Sequence, residues 1–215
     1  MKYSKGWGAV LFIMLLLLLD QSFKFWIKTH LQLGESIYIT SWFQLYFTEN
    51  PGMAFGMQIF GKLFLTLFRI VAIGFIGYYL YTLVKRKFST GFVLCVAMIF
   101  AGAMGNIIDS VFYGAIFNSS VGQVATFMPE EGGYSTWLYG NVVDMLYFPL
   151  IDSTFPDWLP FWGGEPFVFF HPIFNLADSF ICVGVFILLI FYRHTLSASL
   201  IEEKKEEKEE QLNAE

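Results

Sequence analysis

Long apolar segments, separated by shorter polar ones, dominate the pattern of this chain. A membrane-spanning helix needs about 20 mostly apolar residues, and four segments meet that requirement. They lie at about 7–27, 63–84, 91–111 and 167–192. We therefore predict an all-α membrane protein in which residues 1–199 form a single domain with four transmembrane helices, followed by a charged cytoplasmic tail at 200–215.

Lysine and arginine are concentrated at places that alternate along this pattern. They precede the first segment, fill the link between the second and third, and follow the fourth: Lys2, Lys5, Lys85, Arg86, Lys87, Arg193 and the lysines of the tail. Such cations favour the cytoplasmic side of a membrane. We therefore expect both termini in the cytoplasm and residues 28–62 and 112–166 on the periplasmic side.

The two predicted periplasmic segments, 28–62 and 112–166, differ in the structure that their sequences predict. Residues 37–40 and 44–48 are rich in β-branched and aromatic side chains and predict short strands. The Asn-Pro-Gly sequence at 50–52 is a turn signal, so a small periplasmic β-sheet is expected. The second segment predicts a long aromatic periplasmic loop, in which Trp158 and Trp162 suit the headgroup interface.

Composition narrows the class of protein further. Hydrophobic residues make up 56% of the chain and charged residues only 14%, against about 25% charged residues in soluble domains. No basic face suggests nucleic acid as a partner. Cys95 and Cys182 lie in apolar segments and are expected to be small buried hydrophobes. No Cys/His cluster has zinc-ligand spacing, so neither a metal nor another cofactor is predicted.

The charged residues between Lys87 and Arg193 are all acidic. Between Lys87 and Arg193 there is no lysine or arginine, yet residues 88–192 include eight acids. Two of these, Asp144 in NVVDMLYF and Asp178 in FNLADSF, have apolar neighbours in sequence. A carboxylate is costly beside lipid-soluble sequence, so such residues are usually functional. Two of them suggest a carboxylate pair that shares one proton.

Further polar residues occur in pairs at helical spacing. Asp20 and Lys24 are four residues apart and could form an ion pair at a helix end, with Lys24 and Lys28 extending to the interface. Two Asn-Asp pairs at a spacing of three could instead bond neighbouring helices together. By the predicted topology all these groups share one depth, so a single polar site accounts for them more simply: Asp20, Lys24, Asn106, Asp109, Asp144, Asn175 and Asp178.

Five short motifs together resemble the lipoprotein signal peptidases, the type II signal peptidases of bacterial inner membranes. They are DQSFK at 20–24, NPGMAFG at 50–56, GAMGNIID at 102–109, GNVVDMLYF at 140–148 and FNLADS at 174–179. Each motif is weak alone, but the five follow the order of the family on a four-helix pattern. The resemblance covers roughly residues 10–193.

The resemblance implies a membrane aspartic endopeptidase that cleaves the signal peptide from a diacylglyceryl-modified prolipoprotein, just before the lipidated cysteine. Its catalytic pair corresponds here to Asp144 and Asp178, and its active site would lie near the periplasmic face. The small sheet would match the substrate cradle of the family. Expected partners are the prolipoprotein and membrane lipid, and a monomer is expected. The supporting residues of the family correspond to Asp20, Lys24, Asn50, Gly52, Asn106, Asp109 and Asn175.

The chain departs from the family pattern at one position. An arginine usually follows the aspartate of the third helix, but here Ser110 follows Asp109. The contact made by that arginine is therefore either absent or supplied by another residue, for which Arg69 in the second helix is a candidate.

A proton-coupled carrier is the rival interpretation of the intramembrane acids, which would then relay ions. Four spans without duplicated halves count against a transporter. The acids also gather at one face of the predicted membrane rather than along a path through it. With the family resemblance added, the sequence favours the peptidase.

Overall fold

The computed structural model describes three stretches of the chain: residues 5–52, 61–169 and 171–201. Its longest elements are helix α1 at Lys5–His30, helix α2 at Lys62–Lys85 and helix α3 at Thr90–Ile108. None of the three contains proline, so no backbone donor is missing from its hydrogen-bond ladder. A helix bonds its backbone polar groups internally, as the interior of a bilayer requires.

Helix α3 runs directly into a π-helical turn at Asp109–Tyr113 and a short helix α4 at Gly114–Ile116. Within this turn the hydroxyl of Ser110 donates a 2.9 Å hydrogen bond back to the carbonyl of Asn106. Such back-bonding often bends helices, and single π turns are frequent at functional sites. The turn opens at Asp109, one of the predicted site residues.

The fourth helix begins later than the apolar pattern predicts. Helix α5 covers Leu176–Phe191 and helix α6 covers Arg193–Ile201, whereas the predicted span starts near residue 167. Proline lacks a backbone donor and favours extended chain before it. Pro166 and Pro172 therefore place strands, rather than helix, ahead of α5.

Three helical stretches of the described chain are long and apolar enough to cross a membrane: Lys5–His30, Lys62–Lys85 and Thr90–Ile116. Helices α5 and α6 meet the same criterion only as a pair bent by 88°, which allows up to four spans. Large apolar side chains such as Leu18, Phe68 and Phe75 are exposed, as lipid-facing helices require. The predicted fold class, a mostly helical membrane protein with a small sheet, is confirmed.

The described chain forms two compact units. The first contains the described parts of residues 1–18, 70–104 and 177–215, and the second those of 19–69 and 105–176. Helix α1 therefore contributes its first half to one unit and its second half to the other.

Close helix packing characterises the first unit. Its apolar core includes Leu83, Phe92 and Ala97, all fully buried. Gly102 on α3 lies against the backbone carbonyl of Ala177, and a Cβ at position 102 would collide with it. Small residues permit this approach between membrane helices. The contact holds the first turn of α5, in which Asp178 follows Ala177.

The second unit contains the strands of the described chain. They are β1 at Ser36–Tyr38, β2 at Gln44–Asn50, β3 at Val142–Tyr147, β4 at Ile151–Thr154, β5 at Pro166–Phe169 and β6 at Ile173–Phe174. Four of them form an antiparallel sheet in the order β1-β2-β3-β6. The strands predicted at 37–40 and 44–48 correspond to β1 and β2, whereas β3 was not predicted.

An irregularity separates the two ends of the β2–β3 ladder. Leu45 pairs with Leu146, but the next pair is Thr48 with Asp144, so β2 uses one residue more than β3. This is the geometry of a β-bulge, which bends a strand and re-aims the side chains beyond it. Asp144 is the first β3 residue on the far side of the bulge.

The aromatic loop forms a hairpin of β4 and β5. Its tip closes through backbone bonds from Gly163 to Leu159 and from Gly164 to Phe155, both 3.0 Å long. Trp158 and Phe161 at this tip are largely exposed. Exposed aromatic rings on a membrane protein suit the headgroup region.

Candidate active site

Asp144 lies in β3 with its side chain buried, since only 4% of the residue is exposed. Strand β6 pairs with β3 through Leu146 and Phe174, and this pairing brings the next residue, Asn175, beside the aspartate. The Asn175 Nδ2 group donates a 2.6 Å hydrogen bond to Asp144 Oδ1. An amide donor of this kind holds a carboxylate in one orientation.

Asn106 links this pair to a buried lysine. Its Oδ1 atom accepts hydrogen bonds from Asn175 Nδ2 at 3.1 Å and from Lys24 Nζ at 2.9 Å. The two asparagines therefore form a chain of amides between the Lys24 ammonium and the Asp144 carboxylate. A connected polar network of this kind holds its members in one geometry.

Lys24 is enclosed between two carboxylates. Its Nζ lies 3.0 Å from Asp20 Oδ2 and 2.9 Å from Asp109 Oδ2, and all three residues are at most 1% exposed. The alternative in which Lys24 and Lys28 extend to the interface is wrong, because both lysines are fully buried. A buried cation must be paired to offset its desolvation, and Lys24 has two partners.

Gln21 is a member of the network that the sequence pattern did not single out. Its Nε2 donates to Asp20 Oδ2 at 3.0 Å and to Asp109 Oδ1 at 2.9 Å, and its Oε1 accepts from Tyr113 at 3.2 Å. The sequence signal that could have identified Gln21 is its position three residues before Lys24, on the same helix face. Gln21 thereby joins the same two acids that Lys24 joins.

Asp109 also supports the strand that carries Asp144. Its Oδ2 accepts a 3.1 Å hydrogen bond from the backbone N–H of Val143, a β3 residue beyond the two that pair with β6. The chain can come this close because residue 140 is glycine, where a Cβ would collide with the Asp109 carbonyl. This explains the glycine that opens the motif GNVVDM.

The predicted residues Asn50 and Gly52 form a turn after β2. The N–H of Gly52 donates a 2.8 Å hydrogen bond to Asn50 Oδ1, an Asx-turn. The guanidinium of Arg69 lies beside Gly52, while Ser110 bonds its own helix. Whether Arg69 replaces the family arginine stays a prediction. The rest of the NPGMAFG motif, from residue 53, lies outside the described residues.

Asp178 belongs to the first unit and lies in the first turn of α5. Its side chain is partly exposed. The N-terminus of a helix favours negative charge. Of the sequence-predicted residues, the network of the second unit joins Asp20, Lys24, Asn106, Asp109, Asp144 and Asn175.

Comparison with known proteins identifies relatives over nearly the whole chain. The model of the signal peptidase (SPase) II family matches residues 12–193. A lipoprotein signal peptidase of Porphyromonas gingivalis is 57% identical over 200 residues, which are 93% of this chain and 88% of that protein. A lipoprotein signal peptidase of Amoebophilus asiaticus is 36% identical, over 90% of this chain and 80% of that protein.

Two solved structures of bacterial membrane enzymes share the fold. One has a TM-score of 0.59 at 21% identity and covers 87% of this chain and 89% of its own. The other has a TM-score of 0.56 at 22% identity and covers 85% of this chain and 90% of its own. Fold, motifs and sequence identity thus agree, and the chain belongs to the signal peptidase II family.

Proposed function

We propose that this chain is an aspartic endopeptidase of the bacterial inner membrane. It removes the signal peptide from diacylglyceryl-modified prolipoproteins by cleaving just before the lipidated cysteine. Membership of the signal peptidase II family supports a protease that acts on prolipoproteins. The observation that carries the aspartic mechanism is the buried Asp144 carboxylate, held by Asn175 at 2.6 Å.

Asp144 and Asp178 act together in this proposal. One ionised aspartate takes a proton from the attacking water, and the other, protonated, donates a hydrogen bond to the scissile carbonyl and stabilises the oxyanion. Two close carboxylates cannot both ionise cheaply, so they share one proton. The titration then belongs to the pair rather than to either residue.

The remaining network residues orient the pair. Asn175 holds Asp144, and in this proposal it orients the carboxylate or the substrate peptide. Lys24 offsets part of the negative charge of Asp20 and Asp109, which lessens the extra cost that two further buried carboxylates add to ionising the catalytic pair. A supporting shell that fixes catalytic side chains is a general requirement of an active site.

The site is proposed to face the periplasm, where the acyl chains of the substrate stay in lipid while its peptide meets the aspartates. This orientation follows from the lysines and arginines of the sequence. Reporter fusions after Lys87 and after Arg193 should report the cytoplasm, and a fusion after Gly133 should report the periplasm. A cytoplasmic signal at Gly133 would contradict the orientation.

Complementation tests the function in cells. In a bacterium whose own lipoprotein signal peptidase is depleted, expression of this chain should restore conversion of a lipid-modified prolipoprotein to its shorter mature form. Immunoblotting of the two forms measures the conversion. Accumulation of the precursor, despite membrane-inserted protein at a normal level, would reject the proposed function.

Cleavage is expected to be independent of metal ions. Two carboxylates can activate water by themselves, and among residues 5–52, 61–169 and 171–201 no cluster of three or more His, Cys, Asp or Glu side chains is suited to hold a metal. Turnover of the purified enzyme in excess EDTA should stay within about twofold of the untreated rate. A loss on chelation that one added metal reverses would favour a metallopeptidase instead.

A further inference from the structure

A second buried polar cluster lies in the second unit, beyond the network around Asp144. Lys28, which is fully buried, forms an ion pair with Glu49 of β2 and donates a 3.0 Å hydrogen bond to Ser120 Oγ. Ser120 in turn donates to Glu49 Oε1 at 3.0 Å. The Lys28 Nζ also lies 4.9 Å from the centre of the Tyr134 ring. This cluster holds the Glu49 carboxylate in one orientation.

Asn141 connects that carboxylate to the start of β3. Its Nδ2 donates a 2.9 Å hydrogen bond to Glu49 Oε2, and its Oδ1 accepts from Lys62 at the start of α2. Its backbone N–H donates to the Tyr134 hydroxyl at 2.6 Å. Burial raises the pKa of Tyr134 above its ordinary value, so the phenol remains neutral. Asn141 is thus held through both its side chain and its backbone.

The bond between Asn141 and Glu49 can form in only one register of the β2–β3 ladder. Beyond the bulge, Glu49 pairs with Val143 and Thr48 with Asp144. Side chains alternate between the faces of a strand, so Val143 shares the face of Glu49, whereas Asp144 points to the opposite face. Asn141, the residue before β3, bonds Glu49 directly. A slip by one residue would exchange these faces, which would remove Asn141 from Glu49 and Asp144 from Asn175.

A bulge leaves the register beyond it in need of a separate constraint, because the extra residue could be absorbed at another position along β2. Strand β6 constrains only the other end of β3, at Leu146 and Tyr147. On the side of Asp144, the diagonal bond from Asn141 to Glu49 supplies a constraint, and the Lys28 ion pair prevents Glu49 from following a slip.

We propose that Asn141 is a positioning residue for the peptidase reaction: by bonding Glu49 and Lys62, it fixes the register of β3 and so the face and place of Asp144. The inference rests on the proposed function, in which Asp144 is catalytic. Asn141 affects the reaction by holding the strand that carries Asp144, and not by contacting the substrate.

The test is steady-state cleavage of a diacylglyceryl-modified prolipoprotein by Asn141→Leu. A small misplacement of a catalytic group can cost up to about 100-fold in rate, so we expect kcat to fall by roughly tenfold or more while KM stays within about twofold. Asn141→Gln keeps both the donor and the acceptor and should recover most of kcat. The matched control is Asn118→Leu, which removes a 2.6 Å bond from the Thr126 backbone and should leave kcat unchanged.

Lys62→Met provides a second route should Asn141→Leu fail to fold. It removes one anchor of Asn141 and leaves the pairing of Lys28 with Glu49 intact, so kcat should fall by about threefold. Where both variants fold, the double variant should lower kcat by less than the product of the two single fold-changes, because both substitutions remove the same constraint. Independent effects, or a normal kcat in folded Asn141→Leu or Lys62→Met, would overturn the inference.

The two proposals fail in different ways. A normal kcat in Asn141→Leu beside an inactive Asp144→Asn would reject the positioning role and leave the peptidase mechanism standing. Full activity in Asp144→Asn would reject the mechanism itself, whatever Asn141→Leu does.

Discussion

Replacing Asp144 or Asp178 by asparagine is expected to lower turnover of a diacylglyceryl-modified prolipoprotein by roughly 1,000-fold or more, since each acts in proton transfer. Asparagine has nearly the shape of aspartate but can neither accept the proton of water nor hold the shared proton. Single-turnover cleavage by the purified variants in lipid measures the loss. Asp144→Asn should remain folded because Asn175 can still bond an amide oxygen at position 144, and Asp178→Asn should remain folded because Asp178 is partly exposed.

Asp157→Asn is the matched control for this pair of variants. Asp157 is an exposed acid in the hairpin of β4 and β5, so the same chemical change there should leave turnover within about twofold of the unmodified enzyme. Near-normal turnover in Asp144→Asn or in Asp178→Asn would refute the assignment of that residue as catalytic.

Lys24→Met is expected to have the largest effect on stability. It leaves Asp20 and Asp109 buried without the ammonium that lies 3.0 Å and 2.9 Å from them. Removing one partner of a buried ion pair costs about 3–5 kcal/mol, because the other charge stays behind in an apolar surrounding. The free energy of unfolding in detergent, followed by denaturant titration, should fall by this amount, and cleavage should be lost with it.

Two further variants serve as the control and the rescue for Lys24→Met. Lys5→Met changes an exposed lysine of the same helix that bonds backbone carbonyls, and it should change the free energy of unfolding by no more than about 0.5 kcal/mol. Adding Asp20→Asn to Lys24→Met removes one of the unpaired charges and should restore part of the stability. If Lys24→Met unfolded like Lys5→Met, Lys24 would not be the buried cation of the network.

Much of the fold could be predicted because membrane helices are local features. Runs of apolar residues predict α1, α2 and α3 directly, and β1 and β2 followed from β-branched and aromatic content. The start of α5 was missed because hydropathy does not distinguish an apolar strand from an apolar helix. Pro166 and Pro172 were the evidence against helix there.

Most members of the polar network could be predicted, but its bonds could not. Acids stand out in apolar sequence because a buried carboxylate is costly, and Asp20, Asp109 and Asp144 were predicted to share one polar site. Which of them share a partner depends on residues more than 80 positions apart, as in the bond from Lys24 to Asn106. Gln21 went unrecognised because a glutamine near the end of a helix carries no such cost.

Strand β3 was missed for a related reason. All its residues from Val142 to Leu146 are buried, so the alternation of polar and apolar residues that identifies a half-exposed strand is absent. Its pairing with β2 also joins segments about 95 residues apart in the chain and depends on Glu49 and Asn141, neither of which stands out in the sequence.

Mass-spectrometric mapping of the cut most directly tests the central claim, that this chain is a prolipoprotein signal peptidase acting through Asp144 and Asp178. The purified enzyme should convert a diacylglyceryl-modified prolipoprotein into two products, a signal peptide and a mature chain whose first residue is the lipidated cysteine. Asp144→Asn, run as the blank, should yield neither product. A cut at any other bond, or the same products from the Asp144→Asn variant, would contradict the account.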